Sequence, residues 1–112
     1  MTKKIVITPK ASQDLDDCFA YISQDNPEIA LRFFDSTRIT IAQIARMPGI
    51  GSILATNNNR LQGLRKWSVK DFRKYLIFYI ESRSERLRQR DEVVEIVRIL
   101  YATRDINDIL DL

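Results

Sequence analysis

The three prolines of this 112-residue chain divide its first half into two helical segments. Thr8 precedes Pro9, and a threonine can cap a helix whose first residue is a proline, where the missing N–H costs nothing. Pro27 disfavours helical geometry in the residue before it, so the first helix should end there. Pro27 can also open a second helix, whose pattern stops at Pro48. The prolines therefore predict two consecutive helices joined by a short turn.

Apolar residues at spacings of three and four give each predicted helix one apolar face. The first stripe consists of Ala11, Leu15, Cys18, Phe19 and Ile22. The second consists of Ala30, Phe33, Phe34, Thr37, Ile41, Ile44 and Ala45. Asp14, Asp16 and Asp17 lie in the early turns of the first helix, and we interpret them as charges that favour a helix start rather than as an acid/base pair. The two helices should form an antiparallel hairpin.

The rest of the chain has the β-branched and aromatic content of strands. Strands are predicted over residues 4–8, 64–69, 75–80 and 93–101. The third of these is apolar on both faces, which is typical of a central strand. Residues 49–63 lack periodicity and are predicted to be irregular, and the highly charged residues 81–92 are predicted to form an exposed hairpin extension.

The order of these elements, β-α-α-β-β-β, predicts an α+β fold in which a helical hairpin packs on a small, mainly antiparallel sheet. Ile106, Ile109 and Leu110 should form a short helical tail. A chain of this length builds one hydrophobic core, so we expect a single domain over residues 1–112.

The net charge of +3 is distributed unevenly along the chain. Residues 1–59 hold six basic and six acidic residues, whereas residues 60–104 hold twelve basic and six acidic residues. This basic half suits nucleic acid or an acidic protein partner. No apolar run approaches the roughly 20 residues that span a bilayer, and the N-terminal segment lacks the features of a signal peptide. With a single cysteine, we expect a cytoplasmic protein that does not associate with membranes.

Residue types exclude several kinds of catalytic site. The chain has no histidine, so neither a Ser-His-Asp nor a Cys-His arrangement is possible. One cysteine without histidine argues against a zinc site, and the three glycines do not form a phosphate-binding loop. Cys18 lies in the apolar stripe of the first helix and is predicted to be a core residue rather than a nucleophile. We expect no metal and no cofactor.

Basic and aromatic side chains are interleaved between Leu64 and Asp105. They are Arg65, Lys66, Trp67, Lys70, Phe72, Arg73, Lys74, Tyr75, Tyr79, Arg98, Tyr101 and Arg104. Guanidinium groups bind phosphate or carboxylate through paired hydrogen bonds, and aromatic faces stack on bases or anchor protein interfaces. This pattern predicts a binding surface, although core packing is an alternative interpretation for Trp67, Tyr75 and Tyr79.

Arg98 presents a choice between two roles. By strand alternation it should share a face with Ile96 and Leu100. An arginine inside an apolar strand is costly to bury without a partner. Arg98 should therefore either pair internally or lie on a sheet face that is open to another molecule.

Three segments in order resemble the RelE/ParE superfamily of type II toxins, and its ParE branch in particular. The first is Ile5-Val6-Ile7-Thr8-Pro9-Lys10-Ala11 with Asp14-Leu15 and Tyr21-Ile22. The second is Gly63-Leu64-Arg65 through Val69, followed by Tyr75-Leu76-Ile77-Phe78-Tyr79. The third is Val94-Glu95-Ile96-Val97-Arg98-Ile99-Leu100-Tyr101, followed by Arg104-Asp105. ParE members often carry His at the position of Tyr101. The resemblance implies the RelE/ParE-like fold.

The resemblance implies one of two activities, because superfamily members either poison DNA gyrase (ParE-like) or cleave mRNA in the ribosome (RelE-like). The RelE pattern has an arginine after the first tyrosine of the Tyr-x-Ile-x-Tyr strand, where this chain has Leu76, and a late tyrosine, whereas none follows Tyr101. A histidine-free RNase needs such groups to activate the 2′-OH and stabilise charge. Gyrase inhibition by protein binding, without catalysis, is therefore the favoured function.

A ribosome-dependent mRNA endonuclease is the alternative, with catalytic candidates Arg65, Lys66, Lys70, Arg73 and Arg104. A binding module that has lost its toxicity is a third possibility. The resemblance also implies a cognate antitoxin, ParD-like or another small repressor, in a hetero-oligomer with the toxin. Its acidic segment would cover the basic sheet and an open face of residues 75–80. The candidate residues for binding target or antitoxin are Arg65, Trp67, Lys70, Arg73, Lys74, Tyr79, Arg98, Tyr101 and Arg104.

Overall fold

A computed structural model of the chain describes residues 3–56, 58–83, 92–103 and 106–110. The helices are α1 (Pro9–Asp25), α2 (Pro27–Arg46) and α3 (Ile106–Ile109). The strands are β1 (Lys4–Ile7), β2 (Ser52–Ile53), β3 (Arg65–Val69), β4 (Phe72–Arg83) and β5 (Glu92–Tyr101). Short 3-10 helices occupy Pro48–Ile50 and Asn59–Leu61.

The first two helices begin and end where the prolines predict. The Thr8 hydroxyl accepts a hydrogen bond from the N–H of Ala11 at 3.1 Å and so caps α1. The Asn26 side chain accepts hydrogen bonds from the N–H groups of Glu28 and Ile29 and caps α2. One residue separates the helices, and Phe19 contacts Phe34 edge to face across them, with ring centroids 6.3 Å apart. The predicted hairpin is therefore confirmed.

The sheet has the strand order β1-β5-β4-β3-β2. β1 pairs with β5 in parallel, and all other neighbouring strands are antiparallel, so the predicted mainly antiparallel sheet is confirmed. β4 is the central strand. The prediction that residues 49–63 are irregular is wrong at Ser52–Ile53, which pair with β3. So short a strand is stabilised by its neighbour and leaves no periodic pattern in the sequence.

Both faces of the sheet are covered by apolar side chains. The face under the two helices is centred on Phe33, Ile41, Ile44, Val69, Ile77, Tyr79, Val94, Ile96 and Ile99. The opposite face is centred on Leu64, Phe78 and Leu110. The predicted open face of residues 75–80 is therefore wrong, because Leu54, Leu61, Leu64, Ile106 and Leu110 pack against it. The predicted helical tail is confirmed, and its Leu110 is buried.

A bulge in β5 changes which side chains share a face. Tyr79 lies opposite Ile96 and Phe78 lies opposite Arg98, so Val97 has no cross-strand partner of its own. Beyond the bulge, Ile99 belongs to the helix-side core and Leu100 to the opposite cluster. The prediction that Ile96, Arg98 and Leu100 share one face is wrong, because the extra residue reverses the alternation.

The charged segment 81–92 extends the β4–β5 hairpin as far as the cross-strand pair of Arg83 and Glu92. Residues 84–91 of that predicted extension lie outside the described residues. Within the described ranges, no helix combines the length and the apolar character that crossing a membrane requires.

Candidate functional site

An open cleft of about 640 Å³ lies between α2 and the β3–β4 hairpin. Its lining combines cations, an aromatic ring and polar groups, and consists of Ile39, Gln43, Arg46, Trp67, Ser68, Val69, Lys70, Asp71 and Arg73. We call it the basic cleft. Three basic residues and one acidic residue line it, and all four are exposed to solvent.

Two hydrogen bonds attach the hairpin to α2 and set the shape of the basic cleft. The backbone N–H of Lys70 donates to the Thr40 hydroxyl at 3.0 Å, and the indole N–H of Trp67 donates to Oε1 of Gln43 at 3.3 Å. The tight turn between the strands places Asp71 in the left-handed region, with φ of 66°. Aspartate is one of the few residues that adopts this conformation readily.

The basic cleft has the chemistry of a binding surface. Trp67 is half-buried at its floor, and the exposed Ile39 on its wall offers apolar area. Arg46, Lys70 and Arg73 line the same cleft and give it a net positive charge beside the single acidic residue, Asp71. An aromatic anchor that shares a cleft with cations suits an acidic segment that also carries apolar side chains.

The structure brings three of the predicted binding residues together in the basic cleft, namely Trp67, Lys70 and Arg73. Their neighbours from α2, Ile39 and Arg46, were missed because nothing in the sequence shows which strand a helix face will meet. The available signal in the sequence was that Ile39 is an apolar residue outside the apolar stripe of the second helix.

Other predicted residues of the basic set lie outside this cleft. Arg65 is half-buried, and its Nη1 donates to the carbonyl oxygen of Gly51 at 2.7 Å, so part of its guanidinium joins β3 to β2. Lys66 and Lys74 are exposed on β3 and β4. Arg104 lies outside the described residues.

Tyr79 is in the core and not on a binding surface. Its side chain is fully buried, its hydroxyl donates to the carbonyl of Pro48 at 2.6 Å, and the same hydroxyl accepts from the N–H of Gly51 at 2.9 Å. Burial raises the pKa of this phenol, so it stays a proton donor. The structure thus corrects its proposed contact with a partner, because the ring is needed to hold the 48–51 segment against the sheet.

Of the two roles predicted for Arg98, the structure shows the internal ion pair. Its Nε and Nη2 donate to the two carboxylate oxygens of Asp14 at 2.7 and 2.9 Å. The hydrogen bonds to Asp14 raise the pKa of the guanidinium above its ordinary value. Asp14 therefore pairs with β5 from the second turn of α1, and the first turn contains no acidic residue. The helix-start interpretation of Asp14 is corrected.

Tyr101 is exposed at the end of β5, where its ring meets Tyr75 at a centroid distance of 5.1 Å. Cys18 is partly buried nearby and packs on the core, as predicted. Burial, together with the negative charges of Asp14 and Asp17, raises the pKa of this thiol to about 11. A thiol with so high a pKa is a poor nucleophile at neutral pH.

The family model of the ParE toxin of type II toxin–antitoxin systems, parDE, matches residues 5–106 of the chain. The chain belongs to the ParE toxin family. This membership confirms the resemblance of the three sequence segments and agrees with the packing of two helices on a mainly antiparallel sheet. A ParE toxin of a type II toxin–antitoxin system has an antitoxin partner.

Two solved structures share the fold of this ParE-family chain at low sequence identity. The chromosomal ParDE system from P. aeruginosa aligns with a TM-score of 0.64 and 16% identity, covering 91% of this chain and 98% of the other. A YoeB/ParE toxin from Agrobacterium tumefaciens aligns with a TM-score of 0.59 and 15% identity, covering 89% and 99%. The search of curated proteins returned no match. Among the residues that the structure describes, no group of three or more potential ligands could hold a metal ion.

Proposed function

We propose that this ParE-family toxin inhibits DNA gyrase by binding it, and that a cognate antitoxin neutralises the toxin in the cytoplasm. The observation that carries the proposal is the basic cleft, which three exposed cations line together with Trp67 and Ile39. A surface of this kind binds another protein without making or breaking a covalent bond.

The position after Tyr75 supports binding rather than RNA cleavage. RelE-like nucleases resemble this chain there but carry an arginine, whereas Leu76 packs against the cluster of Leu64, Phe78 and Leu110. A leucine side chain can neither transfer a proton nor stabilise the negative charge that develops on the phosphate in the transition state of RNA cleavage. Cys18, with its raised pKa of about 11, is no substitute for the missing group.

The basic cleft also suits the antitoxin. An acidic, amphipathic segment could place carboxylates on Arg46, Lys70 and Arg73 and an apolar side chain on Trp67. A ParD-like repressor is the proposed source, because a similar fold occurs in a ParDE system. Toxin and antitoxin would then form a hetero-oligomer in which the antitoxin excludes the toxin's target from the cleft.

The test combines purified gyrase with the purified toxin and plasmid DNA. We expect loss of supercoiling and accumulation of cleaved DNA, and induced expression in cells should block replication and trigger a DNA-damage response. The variant Lys70→Glu/Arg73→Glu should lose both effects, whereas Lys10→Glu, which changes an exposed cation on α1, should keep them. Normal supercoiling with intact cellular DNA and halted translation would contradict the proposal.

The alternative, a ribosome-dependent mRNA endonuclease, is favoured by one observation. Lys66, Lys70 and Arg73 are all exposed on the β3–β4 hairpin, where they could contact an RNA backbone. The other two catalytic candidates are Arg65, whose guanidinium donates a hydrogen bond to the carbonyl oxygen of Gly51, and Arg104, which lies outside the described residues. Primer extension on cellular mRNA after induction separates the two functions, because codon-phased cleavage supports the nuclease and intact transcripts support gyrase inhibition.

A further inference from the structure

A second pocket, of about 390 Å³, lies on the other side of the helical hairpin from the basic cleft. α1 and the ends of β4 and β5 form it, and Asp17, Cys18, Tyr21, Tyr75 and Tyr101 line it. We call it the tyrosine pocket. It contains three of the four tyrosines of the chain, and the fourth, Tyr79, is buried in the core.

The rings of the tyrosine pocket are held in place but leave much of their surface uncovered. Tyr75 packs on Phe33 with ring centroids 4.8 Å apart, and Tyr101 meets Tyr75 nearly edge to face at 5.1 Å. Tyr21 is 68% exposed and Tyr101 is 44% exposed. So much accessible aromatic surface in one concave site is typical of a binding site.

The tyrosine pocket carries a negative charge from Asp17, in contrast to the basic cleft. Gln13 donates a hydrogen bond to Oδ1 of Asp17 at 2.8 Å, and the Asp17 side chain is exposed to solvent. Burial is the main cause of the raised pKa of Cys18, and the negative charges of Asp14 and Asp17 raise it further. Of the described residues that line this pocket, none is basic.

We propose that the tyrosine pocket receives an arginine side chain of the antitoxin. A guanidinium group can stack on tyrosine faces and donate hydrogen bonds to a carboxylate at once, and the pocket combines the exposed rings of Tyr21 and Tyr101 with the carboxylate of Asp17. The antitoxin is the occupant because membership of the ParE family implies this partner whatever the toxin's target is. The inference rests on that pairing and goes beyond the proposed function, since it adds a contact of opposite charge, remote from the basic cleft.

Two contacts of opposite sign would orient the antitoxin on the toxin. An acidic stretch in the basic cleft and an arginine in the tyrosine pocket are satisfied together in only one direction of the antitoxin chain. Reversing that direction would place like charges against each other at both sites, which disfavours the reversed arrangement.

The first test follows the tyrosine ring signals by NMR while N-acetyl-arginine amide is added. The uncharged N-acetyl-citrulline amide, which has nearly the same shape, is the matched control compound. We expect the arginine compound to shift the signals of Tyr21, Tyr75 and Tyr101, to leave Tyr79 unchanged, and to bind more tightly than the citrulline compound. Equal responses to the two compounds would overturn the proposal, because they would show that charge plays no part.

The second test uses variants on the exposed face of α1. Asp17→Asn should weaken binding of N-acetyl-arginine amide and of the cognate antitoxin by about tenfold each, because it removes the carboxylate and leaves the rings. Asp16→Asn, which changes the adjacent exposed carboxylate outside the pocket, should bind both as the unmodified protein does. Equal affinities of the two variants for the antitoxin would sink the proposal.

The same variants separate this proposal from the proposed function. Asp17→Asn should inhibit gyrase as strongly as the unmodified toxin, because Asp17 lies outside the basic cleft that we propose binds gyrase. If Asp17→Asn inhibits gyrase normally and binds antitoxin normally, only the pocket assignment fails. If the unmodified toxin does not affect gyrase while Asp17→Asn still weakens the antitoxin complex, only the target assignment fails.

Discussion

The carboxylate of Asp14 on α1 accepts two hydrogen bonds from the guanidinium of Arg98 on β5, at 2.7 and 2.9 Å. It also accepts a third from the backbone N–H of Ile99 at 3.1 Å. These three bonds lie directly after the bulge at Val97, where Arg98 and Ile99 follow one another along β5. One side chain thereby joins the first helix to the last strand of the sheet.

Removing Arg98 should destabilise the fold. The side chains of Arg98 and Asp14 are only 17% and 10% exposed, so Arg98→Leu leaves a largely buried carboxylate without its cation. We expect the free energy of unfolding, measured by urea denaturation, to fall by about 3 kcal/mol. Arg38→Gln, which changes an exposed arginine on α2, is the control and should alter it by less than about 0.5 kcal/mol.

A double variant checks whether the two charges act as a pair. Asp14→Leu/Arg98→Leu should be more stable than Arg98→Leu alone, because no uncompensated charge is left inside. Strictly additive losses from the two single substitutions would show that Asp14 and Arg98 do not stabilise each other.

Gly51 should tolerate no side chain. A Cβ atom there would lie 2.6 Å from the Tyr79 hydroxyl oxygen and 2.7 Å from the carbonyl oxygen of Lys66. Gly51→Ala should therefore lower the free energy of unfolding by about 1–3 kcal/mol, as overpacking does elsewhere. Gly49→Ala is the matched control, since a Cβ atom at Gly49 meets nothing within 4 Å. Equal stabilities of the two variants would show that the 48–51 segment is not packed against Tyr79.

Cys18 should react slowly with alkylating reagents while the protein is folded. Its pKa is raised from 9.0 to about 11, chiefly by burial, so at pH 8 the thiolate fraction is about a hundredfold lower than in the unfolded chain. Iodoacetamide labelling followed by mass spectrometry should show this difference between native and urea-unfolded protein. Asp17→Asn should speed the native reaction, because it removes one of the charges that raise the pKa.

The same thiol makes stability fall at alkaline pH. The folded state favours the protonated thiol, so its contribution is fully present below the unfolded pKa of 9.0 and is lost as pH rises towards about 11. Denaturation midpoints of the unmodified protein should therefore fall more steeply between these two pH values than those of Cys18→Ala. Parallel curves would contradict the assignment of the raised pKa to the native state.

Charge reversal in the basic cleft should weaken antitoxin binding. Lys70→Glu or Arg73→Glu places a carboxylate where we propose that acidic residues bind, and each should raise the Kd about tenfold at low ionic strength. Isothermal titration calorimetry at two salt concentrations should show a smaller difference in Kd between variant and unmodified protein at the higher concentration. Lys10→Glu reverses an exposed charge outside both the cleft and the tyrosine pocket and should leave the Kd unchanged.

The sequence selected some candidate residues that lie together on the surface and others that are bonded inside the fold to residues distant in the chain. The alternation of basic and aromatic residues identified Trp67, Lys70 and Arg73, which the structure brings together. It also selected Tyr79 and Arg98, whose polar groups are satisfied inside the fold. Residue type shows that a side chain can bind a partner, but only packing shows whether its donors and acceptors are still available.

The sequence by itself determined the ends of α1 and α2, the places of the long strands and the absence of histidine-based chemistry. These features depend on residue identity or on contacts within a few positions, such as the caps by Thr8 and Asn26. The tertiary structure alone decided the pairing of β2, the bulge in β5 and the bond from Asp14 to Arg98 across 84 positions. Such features arise from contacts between distant segments, and no local pattern of residues specifies which segments will meet.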